Sequence, residues 1–321
     1  MDRSDIRKYK SLKKKAEKCI KHNKIGEGIA LYLEAFEIYV VVSDYLRLAQ
    51  IYISSGKFKE AIEIHNNILS QRNDDEIPKR DKFYYQLAVA YDMLYDNDHA
   101  LACYEKALRY GCDLPELYAV LGMMYFEKGT GCDSDSERDI YFDKSIELLE
   151  KIKSEADDLA CFAYSTIGEI QYYRGEYNES LKLLLKAIDL DRKKETDSYF
   201  ALGNTYAALG EFTLAEMYYL KELKRKGFEK KTYYNLGLLY KNIKDYDKSI
   251  LNYQKALKID REDYDAWFNL ACSYSLKGDF EGAYSCLNYI KYKKPEYMKS
   301  VYKDEELAEF RKSEKYQTLI N

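Results

Sequence analysis

Three histidines and seven cysteines are the side chains of this sequence best equipped to bind a metal or attack a substrate. Their spacing argues against both uses. His22, His65 and His99 stand far apart, none at ligand spacing from another, and no H-E-x-x-H run occurs. Cys19, Cys103, Cys112, Cys132, Cys161, Cys272 and Cys286 form no C-x-x-C pair and no zinc-type spacing, and their number is odd. Reduced, mostly buried thiols in a cytosolic protein fit this usage. Asp133-x-Asp135-x-Glu137 starts like a calcium loop. Arg138, however, replaces the turn glycine that such a loop needs, and Lys144 stands where its bidentate glutamate belongs. A solvated acidic loop is the expectation there. Gly26-x-Gly28 opens no strand–helix unit, and no phosphate-cradling Walker loop is present. The chain is expected to be non-catalytic, with no metal and no cofactor.

The elements that could position any side chain are bounded by composition. Among 321 residues, 46% are hydrophobic and 33% charged, which supplies a core and argues against disorder. With only three Pro and 15 Gly, an all-β fold rich in tight turns is excluded. The opening residues Met1-Asp2-Arg3-Ser4-Asp5 lead into no apolar segment, and no apolar run approaches the roughly 18 residues of a membrane span. A cytoplasmic protein without signal peptide or span is expected. The 35 tyrosines against one tryptophan need an explanation of their own.

That explanation is a period of 34 residues. Tyr233-x-x-Leu236-Gly237-x-x-Tyr240 returns as Trp267-x-x-Leu270-Ala271-x-x-Tyr274 downstream and as Tyr199-x-x-Leu202-Gly203-x-x-Tyr206 upstream, each time at 34. Tyr164-x-x-Ile167-Gly168, Tyr118-x-x-Leu121-Gly122, Tyr84-x-x-Leu87-Ala88 and Tyr45-x-x-Leu48-Ala49 continue the series. A second apolar segment follows each, as in Ser249-x-x-x-Tyr253-x-x-Ala256. Both spacings place apolar residues on one helical face. Gly or Ala at the face centre lets two helices approach closely. Gly56, Gly175, Gly210 and Gly278 fall between segments, where a helix ends and the chain turns. The unit is an antiparallel helix pair, which hides its apolar face only by stacking on neighbours.

The pattern resembles the tetratricopeptide repeat, W-x2-L-G-x2-Y…A-x3-F…P, over most of the chain. Eight units are delimited at 9–41, 42–80, 81–114, 115–160, 161–195, 196–229, 230–263 and 264–297. They form an array over 1–297, and 298–321 is expected to be a capping helix. The resemblance implies an all-α, right-handed α-solenoid whose tyrosines, Tyr52, Tyr91, Tyr206 and Tyr240 among them, fill large core positions. Three departures carry expectations. Lys15 and Cys19 break the pattern in the first unit, so its first helix should be frayed or a cap. The extra residues 129–139 should protrude as a loop from the fourth unit. Glu222 stands where Ala is usual.

In such an array the first helix of each pair lines a concave groove. The inward positions of the later units include Phe162, Tyr172, Phe200, Asn204, Lys231, Tyr234, Asn235, Leu238, Lys241, Asp265, Phe268 and Asn269. Large aromatics left bare there call for a covering partner, and an asparagine ladder can grip a peptide backbone through donor and acceptor at once. Phe162, Phe200, Asn204, Lys231, Tyr234, Asn235, Phe268 and Asn269 are therefore the expected contacts to a partner peptide or helix. Asn204 and Asn235 match the two asparagines of the family's chaperone-tail clamp. Phe200, Asp265 and Asn269 stand where its basic residues would be, so a clamp for chaperone C-termini is not expected. The resemblance and the groove together point to a protein-binding scaffold or adaptor.

A rival reading comes from the first 24 residues, which hold ten Lys/Arg and three Asp/Glu against a remainder of net −11. Lys10, Lys13, Lys14 and Lys21 share much of one helical face, with Arg47 and Lys82 further along. Such a face suits an acidic protein, nucleic acid or an anionic membrane, or solubilises the end of the array. The absence of any base-reading module weighs against nucleic acid. Self-association through the end repeats is a third reading.

Overall fold

The computed structural model describes residues 3–39, 41–154, 157–191, 198–225, 227 and 229–320, and among these every regular element is helical. The chain divides into two compact units, Met1–Ile152 and Lys153–Asn321. The first holds α1 (Arg3–Lys21), α2 (Ile25–Ile38), α3 (Val42–Ser54), α4 (Phe58–Gln71), α5 (Arg80–Asp92), α6 (Asn97–Arg109), α7 (Pro115–Thr130) and α8 (Asp135–Glu150). The second holds α9 (Asp157–Tyr173), α10 (Tyr177–Leu190), α11 (Ser198–Ala208), α12 (Phe212–Glu222), α13 (Glu229–Asn242), α14 (Tyr246–Ile259), α15 (Tyr264–Lys277) and α16 (Phe280–Lys293). Three short helices follow, α17 (Met298–Val301), α18 (Ala308–Arg311) and α19 (Glu314–Ile320).

Local chemistry sets the hairpins. Asp96, Asp245, Asp263 and Asp279 each accept a backbone N–H of the first helical turn that follows, filling a donor the helix cannot satisfy itself. At the other end Gly278 closes α15 at φ +85°, a left-handed conformation that costs a residue with a Cβ. Within each unit consecutive helices pair, α1 with α2 through α7 with α8, and α9 with α10 through α15 with α16. Within each unit, each pair then packs on the next, as α4 on α5 and α14 on α15.

Glycine at the face centre brings paired helices together as the spacing requires. A Cβ built on Gly237 of α13 would lie 2.8 Å from the Tyr253 ring of α14, and one on Gly122 of α7 would lie 2.7 Å from Leu149 of α8. Tyr253 and Leu149 are wholly buried in consequence. Tyr52 and Tyr240 are buried, whereas Tyr91 and Tyr206 are half-buried and stack on His99 (5.0 Å) and Tyr218 (5.4 Å). Many phenols also find a carboxylate: Tyr240 OH donates to Glu216 (2.5 Å), and Tyr125 OH donates to Glu105. Tyrosine here supplies interface bulk at the ring and a hydrogen bond at the tip.

One expectation is narrowed and one corrected. Helix α1 is not frayed: it runs for 19 residues and buries Tyr9, Leu12 and Ala16. Lys15 is exposed beside that stripe, and Cys19 continues it half-buried, so neither interrupts it. The extra residues 129–139 do not protrude as a loop. They lengthen both helices of their hairpin to 16 residues each, leaving a turn at Gly131–Ser134. The reason is Gly129, which is buried against the Phe142 ring, so that close helix contact continues to the tip. Arg138 ties the turn by donating to Asp135 (2.6 Å) and to the Cys132 carbonyl (3.1 Å).

The tail is not one helix but three short ones, broken where Asp304 caps a turn by accepting from Glu306 N (2.8 Å). Val301, Leu307, Phe310 and Leu319 are buried in the cluster that contains Leu270 and Ile290 of α15 and α16. Arg311 donates to the carbonyls of Val301 (3.1 Å) and Asp304 (2.5 Å), binding the segment to itself. No helix among the described residues is long and apolar enough to cross a membrane.

Candidate functional site

The first helices of the second unit carry the predicted contact residues, and two polar centres emerge among them. The first is a cleft of about 260 Å³ lined by Tyr172 of α9, Asn204 of α11, Tyr219 of α12, and Asn235 and Leu238 of α13. Asn204 Oδ1 accepts from both Tyr219 OH (2.7 Å) and Asn235 Nδ2 (2.7 Å). The two amides are thus linked to each other, and Asn204 is oriented by a buried phenol. That phenol reaches the cleft from the second helix because Gly203 leaves room for its ring. Burial pushes the Tyr219 hydroxyl far above its ordinary range, so it remains a neutral donor. Leu238, at 38% exposed, is a large apolar side chain left open on this wall.

The second centre joins Tyr234, Lys241, Asp265 and Asn269 to the tail. Asn269 Nδ2 donates to Tyr234 OH (3.0 Å), and its Oδ1 accepts from Lys241 Nζ (3.0 Å). Lys241 is only 8% exposed and donates to Glu306 (2.5 Å) as well. A buried ammonium requires such a partner, since an uncompensated one costs several kcal/mol. Ser275 donates to the Glu306 carbonyl (2.8 Å), and Tyr297 OH donates to Asp265 (2.9 Å). The Asp265 carboxylate pushes the Tyr297 phenol up to about 12. Cys272, Asp304 and Glu306 also cluster here with donor atoms within 4.8 Å. Burial holds the Cys272 thiol protonated, and Glu306 already takes Lys241 as its counter-cation, so this trio belongs to the docking of the tail.

The remaining predicted residues are placed as follows. Phe200 is half-buried beside Tyr219 (6.1 Å between ring centres). Phe162 is half-buried on α9, Lys231 is exposed at the start of α13, and Phe268 is half-buried against the α15–α16–tail core. Asn204 and Asn235 therefore come together, Tyr234 and Asn269 form a second pair, and the aromatics are partly absorbed by their own neighbours. Reasoning from the sequence missed Tyr219 and Glu306. A glycine facing a tyrosine one helix later was a usable sign of Tyr219, whereas nothing in the spacing marked Glu306.

In the first unit the basic helix is partly neutralised. Lys13 pairs with Asp44 (2.6 Å) and Arg47 with Glu17 (3.0 Å). Lys10, Lys14, Lys21 and Lys82 remain exposed. His65 is wholly buried and His99 stacks on Tyr91, each within its own helical packing.

Comparison with known proteins agrees with this architecture. Five family models described as tetratricopeptide repeat match residues 45–79, 81–110, 166–228, 231–263 and 252–284. A curated relative, the TPR repeat-containing protein MJ1428 of Methanocaldococcus jannaschii, is 25% identical over 183 residues. These are 57% of this chain and 28% of that protein, so the chain spans little more than a quarter of its relative's length. Among solved structures, a tetratricopeptide repeat protein of Parabacteroides merdae matches 83% of this chain and 99% of its own at 15% identity and TM-score 0.50. The C-terminal part of a TPR repeat-containing protein of Cytophaga hutchinsonii matches 80% of this chain and 98% of its own at 18% identity and TM-score 0.52. The Cut9–Hcn1 hetero-tetramer of the APC/C contains a chain that matches 88% of this one over 52% of its own length, at 16% identity and TM-score 0.56.

Proposed function

We propose, since this chain belongs to the tetratricopeptide repeat family, that it is a non-catalytic scaffold holding a partner segment against the first helices of its second unit. Stacked repeats of this kind generally present extended binding surfaces to other proteins. The observation that carries the finer reading is the cleft at Asn204, Asn235 and Leu238, where an oriented amide pair lies beside an exposed leucine. Amides satisfy a peptide backbone without reading its sequence, and the leucine adds apolar burial. Phe162, Phe200, Lys231, Tyr234, Phe268 and Asn269 extend this surface along the neighbouring repeats. Tyr234 and Asn269 are also tied to the fold, so Asn235 and Leu238 are the better positions to change.

Affinity capture with the intact chain, followed by mass spectrometry, identifies the partner. Asn235→Ala combined with Leu238→Asp should lower its capture about tenfold or more, with an unchanged thermal midpoint. Undiminished capture removes the reading. The rival surface is α1, on which Arg7, Lys8, Lys10, Lys14, Lys18 and Lys21 are exposed without a carboxylate partner among the described residues. Repeating the capture across a salt series separates the two. Phosphate contacts through α1 weaken steeply with salt, and apolar burial at Leu238 does not.

A further inference from the structure

The opposite face of α15 carries a different kind of site. Trp267, Leu270 and Tyr274 point away from the face that bears Phe268 and Asn269, and with α14 and α16 they enclose a cleft of about 590 Å³. Its floor is apolar, for Leu257, Leu270 and Cys286 are all buried. Its aromatic wall is held in place before any ligand arrives. The Trp267 indole N–H donates to the Arg261 carbonyl (3.0 Å), and the ring leans on Tyr289 (4.6 Å). Tyr274 lies against Gly282, where a Cβ would come within 2.6 Å of the ring, and its hydroxyl accepts from Gln254 (2.9 Å).

The rim of this cleft is cationic and uncompensated. Lys258 and Arg261 are exposed, neither has a carboxylate partner among the described residues, and no Asp or Glu lines the cleft. Of the acids beside them in sequence, Asp260 (2.6 Å) and Asp263 (3.1 Å) are taken by Lys230, and Glu262 is exposed and does not line the cleft. Other lysines of this unit do find partners, as Lys248 does in Asp245 (3.4 Å) and Lys277 in Asp247 (2.6 Å). An apolar, aromatic-walled hollow with two free cations at its lip complements one chemistry: a large apolar group flanked by negative charge.

We propose that the cleft bounded by α14, α15 and α16 is a docking site for an acidic peptide segment, which seats one large apolar side chain against Trp267 and its carboxylates on Lys258 and Arg261. This site does not depend on the groove at Asn235, since the two lie on opposite faces of the first helices.

Trp267 is the one tryptophan of the chain, so its emission reports the cleft directly. The intact protein is titrated with an acetylated, amidated peptide Asp-Glu-Leu-Phe-Glu-Asp. A saturable blue shift that weakens as salt rises is expected. In a variant with Lys258→Glu and Arg261→Glu the apparent Kd should rise about tenfold or more. Both side chains are exposed, so the thermal midpoint should hold. Ser285→Phe, also exposed, fills the hollow without changing its charge and should abolish the shift. Absence of a saturable shift, an equal response to Lys-Lys-Leu-Phe-Lys-Lys, or unchanged binding in the charge-reversed variant would overturn the proposal. A blue shift that appears on concentrating the protein alone, with a doubled mass in light scattering, would assign the cleft to a second copy of the chain and overturn it as well.

Discussion

His65 shows how far a single side chain can be committed to packing. It has no exposed surface, its Nδ1–H donates to the Ala61 carbonyl (2.8 Å), and its ring meets Phe83 edge-on at 4.7 Å. Nε2 has no partner. Burial lowers its pKa from 6.5 to about 4. Between these values the unfolded chain takes up a proton that the folded chain refuses, so stability rises with pH across this window. Lowering the pH from 7 towards 4 should cost the first unit up to roughly 3 kcal/mol from this group alone. Urea unfolding followed over that range checks it, and His65→Leu should flatten the profile; an equally steep profile in the variant counts against the assignment. The packing role of the histidine was legible from its isolation in the sequence. Its proton affinity was not, because that depends on the rings around it. The tyrosines divide in the same way: phase predicted the buried rings of Tyr52 and Tyr240, but not the carboxylates, such as Glu216, that receive their hydroxyls.

Among the helices, the glycine at the face centre makes a sharp test because two effects oppose one another. Replacing Gly237 with Ala raises helix propensity by about 1 kcal/mol. The new methyl would meet the fully buried Tyr253 ring at 2.8 Å, and overpacking of this kind costs about 1–3 kcal/mol. The clash should win, so Gly237→Ala lowers the urea midpoint of the second unit, and adding Tyr253→Leu should recover part of the loss. A stabilised Gly237→Ala protein would show that the α13–α14 separation is not set by this contact. The same principle explains the misread insertion. Composition around residues 129–139 suggests a loop, rich as it is in Gly, Ser and Asp. Gly129 packing on Phe142 turns those residues into two further helical turns. Local propensity was readable there, and the tertiary partner that overrode it was not.

For the whole molecule, the tail closes the last repeat. Val301, Leu307, Phe310 and Leu319 cover α15 and α16, each contributing about 1.5–3 kcal/mol of apolar burial. Beneath them Cys272 is shielded, with its Sγ 4.0 Å from Asp304, and burial pushes its thiol well above the ordinary range. Removing residues 295–321 should therefore make the Cys272 thiol react with a disulfide reagent about tenfold faster or more, while Cys103 and Cys112 of the first unit stay slow. Unaltered labelling would mean that the tail does not protect this end. Lys241 makes the same point through charge. It is buried on a first-helix face, and Glu306, 65 residues later, supplies its counter-charge.

Sequence alone determined the kind of element, its phase and the way elements pair, since a 34-residue period with small residues at fixed positions leaves an apolar stripe only one way to be covered. Tertiary structure decided which polar groups meet: Asn204 with Asn235, Asn269 with Lys241, and Lys258 and Arg261 with no carboxylate partner among the described residues. Hydrogen bonds and ion pairs act over a few ångströms between residues tens of positions apart, and such distances are set by packing, which periodicity does not encode.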